Sequence, residues 1–230
     1  NRCIYNKKND GTELELAWVP KNLTSLVMPS TVSGLPVTSI GSKAAYNNSN
    51  LTSVSIGDSV LSIGDLAFYN CSLHSLNIPD AVTSIGGNAF GGQTMMDNLA
   101  SLIIGNGITS IPDQMFNGFS NLKSVTIGAN VQTIGWLAFY GCSQLSRVIF
   151  LGDYDTTLNG DGDAIGYINL FYNARFQNIA ANAVLYYAEG ASGWNTITVN
   201  PSRISDYAYI NFAFPVPPVM LKTYTPGATV

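Results

Sequence analysis

Charged residues are scarce in this chain of 230 residues, since Asp, Glu, Lys and Arg make up 10% of it against about 25% in an average globular domain. Its ten Lys and Arg residues stand singly, apart from Lys7 and Lys8, and form no basic stripe that would neutralise a phosphate backbone. No apolar run reaches the roughly 18 residues that a membrane helix needs. We therefore expect neither nucleic acid binding nor membrane insertion.

Cysteine is also rare, and Cys3, Cys71 and Cys142 are too few for a disulfide framework and lack metal-ligand spacing. Motifs for hydrolase, zinc, phosphate or dinucleotide chemistry do not occur. The one histidine, His74, has no evident catalytic partner. The loop from Asp153 to Asp163 lacks the Gly and Glu of a calcium loop and is expected to be a solvated turn. We expect no enzymatic activity, no cofactor and no metal site.

What the sequence does contain is an internal repeat. Segments related to L-x-S-[VL]-x-[IM] recur at steps of 28, 22, 26, 23 and 23 residues, starting at Leu23, Leu51, Leu73, Leu99, Leu122 and Leu145. The alternation of apolar and polar residues within each segment predicts a short strand in a parallel stack. A period near 23 lies in the leucine-rich-repeat range of about 20 to 29 residues.

A second segment follows in each of the first five repeats. It reads V-T-S-I or a close variant and begins at Val37, Val60, Val82, Ile108 and Val131. An aromatic residue stands five positions after its Ile, at Phe68, Phe90, Phe116 and Phe139. In the first repeat this position is Ala45, with Tyr46 beside it, which predicts a smaller core near the N-terminal end. Gly or Pro after each segment supplies a turn.

One repeat cannot fold alone. About six apolar side chains contribute about 1.5 to 3 kcal/mol each on burial, whereas ordering a repeat costs about 1 to 2 kcal/mol per residue. Stacked repeats share buried faces and hydrogen bonds, so that stability becomes a sum over neighbouring pairs. The sequence therefore predicts a mainly β solenoid of short parallel strands.

The ends of such a stack need caps. Residues 1–22 are predicted to form a hairpin around the turn signal Asp10-Gly11, and residues 23–151 the repeats. Residues 152–199 are predicted to form an atypical repeat and an irregular C-terminal cap, with one strand from Ala183 to Tyr187. Residues 200–230 are interpreted as a Pro-rich tail or an edge segment.

Parallel stacking places equivalent residues in columns about 4.7 to 4.9 Å apart. Cys71 and Cys142 occupy the same position three repeats apart, so a Cα separation of about 14 Å excludes a disulfide, and both thiols are predicted to be free and buried. The serines of the first segments are predicted to form a small-residue ladder. Specificity is expected at the outward positions of these strands: His74, Asn77, Ile103, Lys123, Thr126, Arg147 and Ile149.

The phrases GLPVTSIG (34–41), LTSVSIGDSVLSIGDLAFYNCS (51–72) and AVLYYAEGASGW (183–194) resemble the BspA-like leucine-rich repeat family. The resemblance covers residues 23–151 strongly and 183–194 moderately. It implies a secreted or cell-surface protein, in bacteria or some protists, that binds host or matrix proteins, other surface proteins or cells. The long insertion after Phe150 and the Pro-rich tail depart from the family pattern.

Two rivals to protein binding through the strands remain open. Aromatic residues near the C-terminus could stack on sugar rings, although capping an apolar end requires the same residue types; they are Tyr167, Phe171, Tyr172, Phe176, Tyr186, Tyr187 and Trp194. A passive spacer that holds another domain away from a cell surface is the second rival. A monomer is expected in each case.

Overall fold

The computed structural model describes residues 2–153, 180, 183–188 and 221–224, and β-structure dominates them. The expected N-terminal hairpin is present, because β1 (Ile4–Lys8) and β2 (Glu13–Trp18) pair antiparallel around a short 3₁₀ turn at Asn9–Gly11. Asp10 and Gly11 have φ values of 56° and 89°, a conformation that Asp and Gly tolerate in tight turns. β2 then pairs in parallel with a strand of the first repeat, so the hairpin closes one end of the stack.

Each of the six repeats, numbered here 1 to 6 from its leading leucine, has a first strand at the leucine-led segment. These are β3 (Ser25–Val27), β6 (Ser53–Ser55), β8 (Ser75–Ile78), β10 (Ser101–Ile104), β12 (Ser124–Ile127) and β14 (Arg147–Phe150). β3 pairs with β6, and β8, β10, β12 and β14 form one continuous parallel sheet. β15 (Val184–Ala188) and β16 (Leu221–Tyr224) extend that sheet in parallel.

Repeats 1 to 5 also have a second strand at the V-T-S-I segment. These are β5 (Leu35–Ile40), β7 (Ser62–Ile63), β9 (Ser84–Ile85), β11 (Ser110–Ile111) and β13 (Thr133–Ile134), with a two-residue strand β4 (Thr31–Val32) antiparallel to β5. β5, β7 and β9 continue from β2 as one sheet, whereas β11 and β13 form a separate pair. The predicted mainly β solenoid of parallel strands is confirmed.

The core lies between the two strand columns and repeats as the sequence does. The leading leucines of repeats 2 to 6 are fully buried, and the aromatic rings stack along the axis, with centroids 5.9 Å apart for Phe68 and Phe90 and 5.3 Å apart for Phe116 and Phe139. Ala45 fills the same position in repeat 1 and is buried. Burial of such side chains supplies the main stabilising free energy of the stack.

Repeats 1 to 5 each turn two corners with left-handed backbone. The first corners are Lys43, Leu66, Asn88, Gln114 and Leu137, with φ from 51° to 62°, and the second corners are Asn47, Asn70, Gly92, Gly118 and Gly141. The second corner is always Asn or Gly, which adopt this conformation at low cost. The first corner accepts several residue types, including leucine, so the neighbouring repeats and not the local sequence impose its shape.

Three junctions between repeats, 1/2, 2/3 and 4/5, share the same backbone hydrogen bonds on the second-strand side. At junction 4/5, for example, Gln114, Phe116 and Gly118 donate to the carbonyls of Trp136, Ala138 and Tyr140 at 2.8 to 2.9 Å. At junction 3/4 the equivalent bonds are missing between the described residues 86–92 and 112–117. We call this gap in the hydrogen bonding the seam. On the first-strand side of the same junction, β8 and β10 stay paired over four residues.

Three local features accompany the seam. Pro112 replaces the glycine that donates to the preceding repeat as Gly64, Gly86 and Gly135 do, and proline has no N–H. Repeat 3 is also the 26-residue repeat, and its extra length forms the short helix α1 (Gln93–Asn98), which buries Met95. Ile85 at the seam is only partly buried, while its counterparts in the other repeats are buried. Solvent therefore reaches further into the stack at this junction.

Candidate binding surface

The outward side chains of the first strands form one surface, which we call the strand face. Inward positions of these strands carry the core residues, such as Leu76, Leu102 and Val125, at 0 to 2% exposure. Because side chains alternate along a strand, the positions between them point away from the core. Their register is continuous from β8 to β14, so Asn77, Ile103, Thr126 and Ile149 lie side by side in one row.

A second row lies at the start of the strands. Ala100 donates its backbone N–H to the His74 carbonyl at 2.8 Å, and Lys123 donates to Ala100 at 2.9 Å. Arg147 lies one residue further along its strand, opposite Ser124 in the register, and donates its backbone N–H to the Lys123 carbonyl at 3.1 Å. The structure thus brings all seven residues predicted from the sequence onto four adjacent strands.

Six of these seven residues have at least partial access to solvent, and five of them lie on β8, β10 and β12 or directly before these strands. His74, Asn77 and Lys123 are exposed, Ile103 is 43% exposed and Thr126 is half-buried. The imidazole Nδ1 of His74 lies 3.4 Å from the Thr52 carbonyl. The serine ladder runs beside them, with the Ser124 and Ser101 hydroxyls 3.4 Å apart.

Arg147, which is half-buried, and Ile149 lie on β14 at the end of the face. The prediction that Ile149 is exposed is wrong, because its side chain is only 5% exposed, although its register with Thr126 keeps it in the outward row. Its row neighbours are Thr126 and Tyr186, and Tyr186 is itself 7% exposed. The Arg147 guanidinium lies over the Tyr186 ring at 4.6 Å, a cation–π contact. The added strand β15 thus changes the environment of β14, which alternation alone does not reveal.

The strand face has a distinctive charge. Among the described residues, the first strands of the six repeats and the residues preceding them carry Lys123, Arg147 and His74 and no carboxylate. The carboxylates of the repeats lie on the turns and on α1, as with Asp80, whose Oδ1 accepts the Asn106 N–H at 2.7 Å. In a chain of net charge -4, this face is therefore locally positive, which favours partners that present carboxylates.

Sequence reasoning missed some exposed apolar side chains. Val27 on the strand face is 74% exposed, and Leu61 and Trp136 on the second-strand side are 48% and 47% exposed. The signal was present, since each apolar residue occupies a position that is polar in most other repeats.

Potential metal ligands do not cluster in the described part of the chain. None of its His, Cys, Asp and Glu residues form a group of three or more that would hold a metal ion, and it contains no helix that is long and apolar enough to span a bilayer. Asp153 is the only residue of the candidate calcium loop that the structure describes. Tyr167, Phe171, Tyr172, Phe176 and Trp194 also lie outside the described residues.

Cys71 and Cys142 are free and fully buried, as predicted, and Cys3 is also free. The two thiols make equivalent contacts, with Sγ 3.2 Å from the carbonyls of Ala45 and Phe116 respectively. Burial raises the pKa of the Cys71 thiol to about 11 and that of Cys142 to about 12. Both side chains therefore stay protonated and unreactive near neutral pH.

Comparison with known proteins agrees with this architecture. The structure of a leucine-rich repeat protein from T. pallidum is similar at 22% identity, with a TM-score of 0.60, and the match covers 93% of this chain and 95% of that one. A leucine-rich repeat protein from Eubacterium ventriosum is similar at 21% identity, with a TM-score of 0.54 and coverage of 76% and 50%. A leucine rich cell surface protein from Faecalibacterium prausnitzii matches at 18% identity and a TM-score of 0.41, with coverage of 96% and 74%.

Among curated proteins, none matches the chain. Residues 38–158, however, match the family model of the BspA type leucine rich repeat region in six copies. This match spans more than half of the chain and coincides with the stacked repeats, and the chain therefore belongs to the BspA-type leucine-rich repeat family.

Proposed function

We propose that this chain is a non-catalytic binding module of a secreted or cell-surface bacterial protein and that its strand face recognises a protein ligand. The observation that carries the proposal is the contrast between the two sides of the first strands. Inward positions repeat the same apolar residues, whereas the outward ones differ from strand to strand: Asn77, Ile103 and Thr126 occupy one row. A rigid surface with variable side chains suits recognition, because little ordering free energy is lost on binding.

The chemistry of the face favours a particular kind of protein ligand. Ile103 is an exposed apolar residue within a mainly polar surface, and Lys123 stands one strand away from it. Apolar contact at the centre with charge pairing beside it is a common arrangement of protein interfaces. We therefore expect a ligand surface that presents carboxylates around an apolar residue.

The test is a binding screen of the whole chain against immobilised extracellular matrix proteins by surface plasmon resonance. Ile103→Asp is expected to weaken binding by at least about tenfold, since it buries a charge in the interface. Leu61→Asp is the matched control, because Leu61 is equally exposed, at 48%, but lies on the second-strand side. Equal effects of the two substitutions, or no binding above a denatured control, would contradict the proposal.

The carbohydrate-binding alternative makes a different prediction. Glycan binding that is lost with Trp194→Ala and unaffected by Lys123→Ala would favour it. Of the aromatic residues behind that hypothesis, Tyr186 is buried beneath Arg147 and offers no open ring face. Tyr187 packs partly buried against the core, and the other aromatic residues of that hypothesis lie outside the described residues.

A further inference from the structure

The positive charge of the described residues is concentrated at the N-terminal end of the stack. Residues 2–43 carry five Lys and Arg side chains and three carboxylates, a net charge of +2. Residues 44–153 carry two such cations and six carboxylates, a net charge of -4. The field of the chain therefore favours anionic ligands at the hairpin and at repeat 1.

Backbone hydrogen bonds place Trp18 beside the first corner of repeat 1. Leu16 accepts the Gly41 N–H at 2.8 Å, and Val19 donates to the Ala44 carbonyl at 2.8 Å. Trp18 lies between these two bonds and therefore stands opposite the corner. Its side chain is 42% exposed, so the corner leaves much of the indole open to solvent.

Two lysines meet at this corner. Lys43 forms the corner itself, and its ammonium group lies 5.9 Å from the centre of the Tyr46 ring. Lys21 follows Trp18 in the chain and donates from Nζ to the Tyr46 carbonyl. Tyr46 stacks in turn on Tyr69 of repeat 2, with ring centroids 5.4 Å apart, and both rings are partly exposed. We call Trp18, Lys21, Lys43 and Tyr46 the corner patch.

The ammonium groups of the corner patch have no counter-ion within the described part of the chain. The one ion pair among the described residues joins Lys8 to Glu15 at 3.7 Å. In the same part of the chain, neither Lys21 nor Lys43 pairs with a carboxylate. The Asp65 carboxylate, beside the first corner of repeat 2, accepts a backbone N–H of repeat 3 at 2.7 Å. A ligand carboxylate or sulfate therefore pairs with both lysines without breaking an internal ion pair.

Repeat 5 provides a comparison within the chain. Its first corner also has an exposed indole, Trp136, at 47% exposure, and a partly exposed Tyr140 follows. Leu137, however, takes the corner position that Lys43 has in repeat 1, and residues 124–146 contain no Lys or Arg. Among the first corners of repeats 1 to 5, only that of repeat 1 combines aromatic rings with cations.

We propose that the corner patch is a second binding site, separate from the strand face, and that it takes an acidic polysaccharide. The indole of Trp18 packs against the apolar face of a sugar ring, while Lys21 and Lys43 pair with sulfate or carboxylate groups of the polymer. Each unit of such a polymer offers both kinds of contact. A neutral polysaccharide lacks the charge, and an acidic peptide lacks the sugar ring.

The experiment measures binding of the whole chain to immobilised heparin by surface plasmon resonance. Hyaluronan, which has carboxylates and no sulfates, distinguishes the two anionic groups, and dextran is the neutral control. Lys43→Gln and Trp18→Ala are each expected to weaken heparin binding at least about fivefold. The matched controls are Lys7→Gln and Trp136→Ala, which remove an exposed side chain of the same type elsewhere. They are expected to change the affinity less than about twofold.

Conservative variants separate a lost contact from a loss of folding. Lys43→Arg keeps the charge and Trp18→Phe keeps an aromatic ring, so both are expected to restore most of the affinity. Binding to heparin and hyaluronan alike would support the site with carboxylates as its anionic groups, and binding to heparin alone would support it with sulfates.

Four results would overturn the proposal. They are a lack of binding to both acidic polysaccharides, equal losses in a variant and its matched control, and a loss with Lys123→Gln that Lys43→Gln does not share. The fourth is competition by poly-L-glutamate that is as strong as competition by free heparin, since this would show that the patch binds acidic peptides equally well.

Discussion

Junctions 3/4 and 4/5 are built from nearly the same sequence and differ in how they close. At junction 4/5 both strand columns are paired, and Phe116 stacks on Phe139. At junction 3/4 only the first strands pair, and within the described residues no ring stacking joins Phe90 to Phe116. The comparison shows that the first-strand sheet continues across a junction where the second strands are not paired. That junction is also the one with a proline at the glycine position and with the helix α1.

The largest difference between the junctions is expected for their aromatic residues. Phe116→Ala should cost about 3 to 5 kcal/mol, because the ring is fully buried between Phe119 and Phe139 and leaves a cavity that cannot collapse. Phe90→Ala should cost at least about 1 kcal/mol less, since the seam side can relax. Urea unfolding of both variants measures this. Equal costs would show that the two junctions are packed alike.

A smaller effect on stability is expected at the position that follows the Ile of each second strand, which is Gly135 in repeat 5 and Pro112 in repeat 4. A Cβ on Gly135 would lie 2.5 Å from the Asp113 N and Oδ1 atoms, so Gly135→Ala should cost about 1 to 3 kcal/mol through overpacking. Pro112 occupies the same position at the seam and is exposed. Pro112→Ala should therefore change the free energy of unfolding by less than about 0.5 kcal/mol. A loss from Pro112→Ala as large as that from Gly135→Ala would contradict this ranking.

The smallest effect on stability appears only at alkaline pH. It concerns Cys71 in repeat 2 and Cys142 in repeat 5, which lie on opposite sides of the seam. Burial raises the thiol pKa of Cys71 and Cys142 from 9.0 to about 11 and about 12, so the unfolded chain loses these protons first. The stability that the protonated thiols provide is complete below pH 9 and falls as pH rises through the folded-state values. Cys71→Ala and Cys142→Ala should each flatten the decline, as measured by urea unfolding between pH 8 and pH 11.

Labelling with a thiol reagent at pH 8 is the control for this pair. Cys3 is partly exposed and should react in the native chain, while Cys71 and Cys142 should react only after unfolding. Rapid labelling of Cys71 alone would show that the seam loosens the N-terminal half of the stack. Rapid labelling of both thiols would contradict the burial on which the pH prediction depends.

The sequence predicted what the repeat itself determines. The spacing of the leading leucines located the first strands, and Asp10-Gly11 located the hairpin. The shared position of Cys71 and Cys142 predicted two free, buried thiols. Each of these follows from local alternation or from column geometry, and each is visible within one or two repeats.

What sequence reasoning missed depends on contacts between repeats. Pro112 was read as an ordinary turn residue, although its missing N–H removes a bond to the preceding repeat. The 26-residue length of repeat 3 was noted without the helix it contains. Ile149 was expected to be exposed from alternation alone. Its burial depends on neighbours such as Tyr186, which the repeat pattern does not specify. The candidate binding residues were located on the correct strands, and their role in binding stays a prediction.

The left-handed first corners bear on how the chain assembles. A leucine such as Leu66 or Leu137 does not favour φ near 55° by itself, so each corner is held in shape only once an adjoining repeat is in place. An isolated repeat has no neighbour that stabilises the left-handed conformation of its first corner. We therefore expect folding to start at one well-bonded pair of repeats and to spread outward, each newly added repeat copying the curvature of the one before it.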